Sequence, residues 1–267
     1  MSKLIEPGRP PLPREHGAWA MLLTPPAVAL LGAGLHILGL LAAFGWIAAY
    51  CLRGPVEALR GMAPTGRAGL AQAAPEVARF WLLAFGLLAM LLLAPVVYMR
   101  PVTALLLMAA LVLLGAVFVL AERGQTRSFA AGALAIAGLM LGGPLYYIAA
   151  YGAAGARGWA LALASAAFFI GSIFRVKTLA RERRSAWFRC LSLGFHAAVV
   201  LLAAGAAWLG HTSWLTAASL LPPLIWAAYG AARAGEAVNL AVVGKGEQWL
   251  TIAFGLLLAG ALRTSPL

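Results

Sequence analysis

Aspartate is absent. All eight acids in the 267 residues are Glu, which excludes any paired-aspartate motif for a metal-bound ligand. Charge of either sign is scarce: Asp, Glu, Lys and Arg make up 10% of the chain against 63% hydrophobic residues, a balance outside that of a soluble globular domain. Two cysteines, Cys51 and Cys190, are too few for a disulfide framework and lack metal-ligand spacing. The leader holds Pro7, Pro10, Pro11 and Pro13 but no short apolar run ending in small residues, so no secretory signal peptide is expected. The glycines around Lys245 have the wrong spacing for a P-loop or a dinucleotide fingerprint.

What the chain has instead is apolar length. A helix needs about 20 apolar residues to cross a bilayer, and nine segments approach that: 17–34, 36–53, 77–98, 101–121, 128–150, 157–176, 188–209, 213–232 and 247–263. They predict an all-α fold, a polytopic transmembrane helical bundle of about nine helices. A single membrane domain covers 17–263, after a Pro-rich leader at 1–16 and before a short tail at 264–267. The first two segments share the turn Gly32 to His36, and a partly re-entrant pair fits them as well.

A net charge of +12 would suit nucleic acid if the cations formed a soluble patch. Here they lie between membrane-length segments, so the lipid bilayer is the expected partner and nucleic acid is not. With the N-terminus cytoplasmic and the C-terminus outside, 17 of the 20 cations fall inside and only Arg100, Arg157 and Arg263 outside, in keeping with the positive-inside rule. All eight Glu fall on the same side. A functional face and simple charge balance both account for that.

Ionisable residues gather at several points of this face. Arg14, Glu15 and His16 stand at the start of the first helix, whose unpaired N–H groups suit an anion, and His16 suits proton transfer near neutral pH. Interfacial anchoring and helix capping explain the same three residues. Pro55 at the first position of a new helical turn would set Glu57 and Arg60 on one face, beside Arg53. That is either a carboxylate between two guanidinium groups or a solvated ion pair. After the sixth span, Arg175, Lys177, Arg181, Glu182, Arg183 and Arg184 suit a diphosphate or phospholipid headgroup, and equally an anionic leaflet. Arg123 and Arg127 line the fourth loop, and Lys245 and Glu247 open the last helix. His36, His196 and His211 read as core or interfacial residues.

The segment HGAWAM at 16–21 behind a Pro-rich leader, with RVKTLARER at 175–183, resembles the YwiC-like family of bacterial integral membrane proteins. That resemblance implies the bacterial cytoplasmic (inner) membrane and assigns no reaction. The topology in turn resembles the UbiA superfamily of membrane prenyltransferases, in which Asp-rich loops after the second and sixth helices bind a prenyl diphosphate through Mg²⁺. Carried over by position, Glu57 and Glu182 would be catalytic or metal carboxylates, with Glu15 and His16 in proton transfer. Arg14, Arg53, Arg60, Arg123, Arg175, Lys177, Arg181 and Lys245 would bind phosphate. Without Asp, any Mg²⁺ would rest on Glu57 and Glu182. The resemblance thus implies a cationic cytoplasmic cavity for an anionic isoprenoid or lipidic ligand, with prenyl transfer as the reaction. The rival expectations are a small-anion transporter and a non-catalytic membrane assembly factor.

Overall fold

A computed structural model describes residues 9–13, 16–61, 75–125, 128–180, 182, 184–233 and 239–264. Among these the chain forms helices and no strand. They are α1 (His16–Ala33), α2 (Ile37–Cys51), α3 (Arg53–Leu59), α4 (Pro75–Met99), α5 (Thr103–Glu122), α6 (Phe129–Met140), α7 (Gly142–Tyr151), α8 (Gly155–Ala180), α9 (Ala186–Trp208), α10 (Trp214–Ala232) and α11 (Leu240–Thr264).

Two neighbouring pairs are single spans with a break, and proline explains both. Proline lacks an N–H, and its ring crowds the carbonyl four residues back. Four residues before Pro55 is Cys51, the last residue of α2, and four before Pro144 is Met140, the last of α6. Taking α2 with α3 and α6 with α7 leaves nine helical units among the described residues. Pro55 is not the first residue of its turn as expected, because α3 already begins at Arg53. The prolines of α1 cause no such break: the helix runs unbroken through Pro25 and Pro26. Ser128 and Ser185 cap α6 and α9 by accepting backbone N–H groups from Ala131 and Phe188.

Seven of the units are long and apolar enough to cross a membrane, and the chain is a multi-pass membrane protein. α1 is shorter, and α11 carries Lys245, Glu247 and Arg263. Each of these two helices buries one face in the bundle and leaves the other exposed, with Leu23 and Leu31 of α1 and Trp249, Ile252 and Leu256 of α11 outward. Leu22, Val28 and Ala29 of α1 and Phe254, Leu258 and Leu262 of α11 are buried, and the helices pack closely, Gly32 on Leu262 and Gly255 on Val28. Where they meet protein rather than lipid, small residues at the contacts matter more than overall apolarity. α4 and α5 are the reverse case, with Leu83, Leu87, Leu91, Leu105, Leu111 and Val112 exposed as lipid-facing residues are.

Side chains complete the C-terminal end of α1 and tie down the chain before its start. The last carbonyls of a helix have no partner within it. Here Arg263 Nε donates to the Leu31 carbonyl (2.8 Å), Tyr151 to Ala33 (2.5 Å) and Tyr146 to Gly34 (2.7 Å). Gly34 takes φ 93°, which lets the chain turn into α2. At the other end the Trp19 indole donates to the Pro13 carbonyl (2.9 Å), and the Pro11 carbonyl sits so close over Gly54 that a Cβ there would lie 1.6 Å from it. Pro11 of the leader therefore lies against the junction of α2 and α3.

Candidate functional site

One face of α8 carries Ser165, Phe168, Ser172 and Arg175 at spacings of three and four, so they lie above one another. Arg175 stands five residues before the end of α8, roughly 8 Å inside it at 1.5 Å per residue. It is nevertheless 1% exposed, and Glu247 of α11, its partner, is 15% exposed. The pair is bidentate: Arg175 Nε donates to Glu247 Oε1 (2.9 Å) and Nη2 to Oε2 (2.7 Å). Oε2 also accepts from the Ser172 hydroxyl (2.8 Å). The third guanidinium nitrogen, Nη1, lies 2.9 Å from His196 Nε2 of α9.

The arrangement fixes the histidine tautomer. A guanidinium can only donate, so Nε2 accepts, and Nδ1 carries the proton and donates to the Ser192 carbonyl at 2.7 Å. Gly171 makes room for the ring, since a Cβ there would lie 2.7 Å from Nε2. Phe168 closes the cluster toward the bundle centre, its ring 5.2 Å from the guanidinium carbon and stacked on Phe254 at 4.3 Å. Desolvating two ions costs several kcal/mol each, and this geometry offsets the cost by engaging all three guanidinium nitrogens and both carboxylate oxygens. Further along the same stripe, Gly158, Ser165 and Ser172 recur every seven residues. Tyr147 packs on Gly158. The buried hydroxyls of Ser165 and Tyr147 have no hydrogen-bond partner among the described residues.

The expected site residues divide. Arg175 joins the cluster. Arg53 and Glu57 pair with each other at 2.7 Å, and Arg60 turns away to Glu122 at 2.8 Å, over the Phe118 ring. Of the two guanidinium groups expected to flank Glu57, Arg53 is thus its partner and Arg60 is paired elsewhere. Lys177 lies over the Phe129 ring at 5.8 Å. Glu182, Arg123 and Lys245 are exposed. Arg14, Glu15, Arg181 and the side chain of His16 lie outside the described residues.

Mg²⁺ is held by carboxylates together with phosphate oxygens and water. Glu57 is committed to Arg53, α3 packs on α2 and α4, and Glu182 is exposed beyond α8. Among the described residues no three His, Cys or Glu gather as metal ligands. The residues do not fit a Mg²⁺ site built on Glu57 and Glu182.

Glu247, Ser172 and His196 were not expected to act with Arg175. Helix boundaries hid them. The last helix was expected to begin at Glu247, making it a surface residue, whereas α11 begins at Leu240 and carries Glu247 two turns inward. The sixth span was expected to end at Val176 but continues to Ala180. The signal available was opposite charge inside two helices whose ends meet on the same side.

The model of the YwiC-like protein family matches residues 12–147, from the leader through α1 into α7. The chain belongs to the YwiC-like family. It is 28% identical over 199 residues to "Uncharacterized protein YwiC" of Bacillus subtilis (strain 168), covering 74% of this chain and 79% of that one. No solved structure matches the chain. The YwiC-like match ends before Arg175, His196 and Glu247, so it identifies the membrane protein family while the cluster stands on its own geometry.

Proposed function

We propose that this YwiC-like protein is a membrane transporter for a small anion, with Arg175 as its anion-binding group. The observation that carries this is the bidentate Arg175–Glu247 pair with His196, held among α8, α9 and α11. Ionisable residues inside a membrane bundle mark substrate or ion pathways by default. Glu247 is itself an anion on the guanidinium fork, so the ligand that replaces it is a small oxyanion with two oxygens at similar spacing. The Tyr147 and Ser165 hydroxyls, buried and unpartnered among the described residues, continue polar character along α8 toward the opposite end of the bundle. This favours passage over binding at one face. The cation-rich end is the cytoplasmic one of a bacterial inner membrane, N-terminus in and C-terminus out, by the positive-inside rule.

The rival reading, a UbiA-like enzyme that binds an isoprenoid diphosphate or lipid headgroup in a cationic cavity, draws on Arg53, Arg60 and Lys177 near the same end. The separate pairing of Glu57 weakens it. Tracer exchange of radiolabelled methanesulfonate and phosphate across proteoliposomes tests the transporter. Exchange that Arg175→Lys abolishes supports it. No exchange, with labelled prenyl diphosphate consumed by the purified protein, replaces it with the enzyme.

A further inference from the structure

We infer that anion binding at Arg175 is coupled to uptake of one proton by Glu247, so that the site carries the anion and the proton together without changing its net charge. The inference rests on the transporter reading and concerns what happens to Glu247 when the anion arrives.

In the structure described, the Arg175 fork is filled by Glu247; the guanidinium is buried and the carboxylate mostly so. An anion that displaces the carboxylate would leave it ionised and without its guanidinium partner in a mostly buried position, next to a newly bound negative charge. A buried ion stripped of its partner is strongly disfavoured, and two neighbouring anions raise each other's proton affinity. A proton on Glu247 removes both penalties. The balance is simple: one O–H bond forms on the Glu247 carboxyl, the carboxylate–guanidinium pair opens, and the anion takes the vacated fork. The cluster is neutral before, as Arg⁺ with Glu⁻, and neutral after, as Arg⁺ with the anion and Glu as the acid. Neutrality in both states is what a charged site needs if it is to move within a low-dielectric bundle.

The surroundings leave Glu247 as the proton acceptor. From α8 it meets Arg175 and Ser172, which only donate to it. From α9 comes His196, whose Nε2 is occupied by Arg175 Nη1 and whose Nδ1 serves the Ser192 carbonyl. The charged groups acting on that histidine are Arg175 and Glu247. α10 offers Trp226 at Gly246 and Tyr229, which is stacked on Trp226 and accepts from Arg233. On α1 no residue from Gly17 to Ala33 is ionisable, and the side chain of His16 lies outside the described residues. On α11 itself Lys245 is exposed.

Calorimetric titration of the purified full chain with methanesulfonate, in buffers of different ionisation enthalpy, tests this. Methanesulfonate stays ionised near neutral pH, so any proton taken up is taken up by the protein. The expected result is one proton per anion, with affinity falling about tenfold per pH unit over the coupled range. In Glu247→Gln the proton uptake is lost, while in His196→Gln it remains. Binding by the unmodified protein with no proton uptake, or uptake lost in His196→Gln instead, overturns the coupling and leaves the transporter standing. Failure of methanesulfonate, formate and phosphate all to bind overturns the transporter reading itself.

Discussion

α5 and α8 are both long enough to cross a membrane, yet they are opposite in character. α5 is the most apolar of the seven spans, with a mean hydropathy of 2.9, and almost none of it is buried. α8 reaches only 1.7, is half buried, and holds Arg175 at its interior face. In water the more hydrophobic helix would be the inner one. In a bilayer, apolarity marks the side that meets lipid, and hydroxyls, glycines and paired charges mark the side that meets protein.

The sharpest way to break this comparison is to unpair the interior of α8. Glu247→Ala leaves the Arg175 guanidinium buried without its carboxylate and is expected to cost ~3–5 kcal/mol, read as a large drop in thermal stability in detergent. Arg175→Met combined with Glu247→Leu should recover most of that loss while leaving no anion exchange, which separates stability from function. Next in size is Gly171→Ala, whose Cβ would meet His196 Nε2 at 2.7 Å; ~1–3 kcal/mol is expected for such overpacking, in the same melting assay. Tyr146→Phe, which removes the hydrogen bond to the Gly34 carbonyl, should cost ~1 kcal/mol. Smallest is Leu111→Ala on the exposed face of α5, expected to change stability by no more than ~0.5 kcal/mol. A loss above ~1 kcal/mol there would mean that α5 meets protein, and the contrast with α8 would fail.

Much of the fold was legible because bilayer thickness fixes helix length. All nine apolar segments correspond to helical units, and the break in the second follows from Pro55 through elementary backbone chemistry. The break at Met140 was missed although Pro144 is its equivalent cause. The site was less legible. Arg175 stood out as a cation at a helix end, but Glu247 looked like an interfacial acid until α11 proved to start two turns earlier. His196 has no sequence neighbour that marks it, and its meaning comes from packing of α9 against α8, which periodicity in a single helix does not report. The separation of Glu57 from Arg175 likewise depends on which helices adjoin, and loop positions do not encode that.

The ties at the end of α1 bear on the order in which the bundle can close. Three neighbouring carbonyls, of Leu31, Ala33 and Gly34, receive their donors from Arg263, Tyr151 and Tyr146, and Arg263 lies in α11. α1 is thus finished by a residue 232 positions further along the chain. Until α11 is in the bilayer, α1 lacks one of its packing partners and one of its end bonds, so its packing is completed only once α11 has been inserted. Chains cut short before α11 would carry an incomplete first span and be open to quality-control proteolysis.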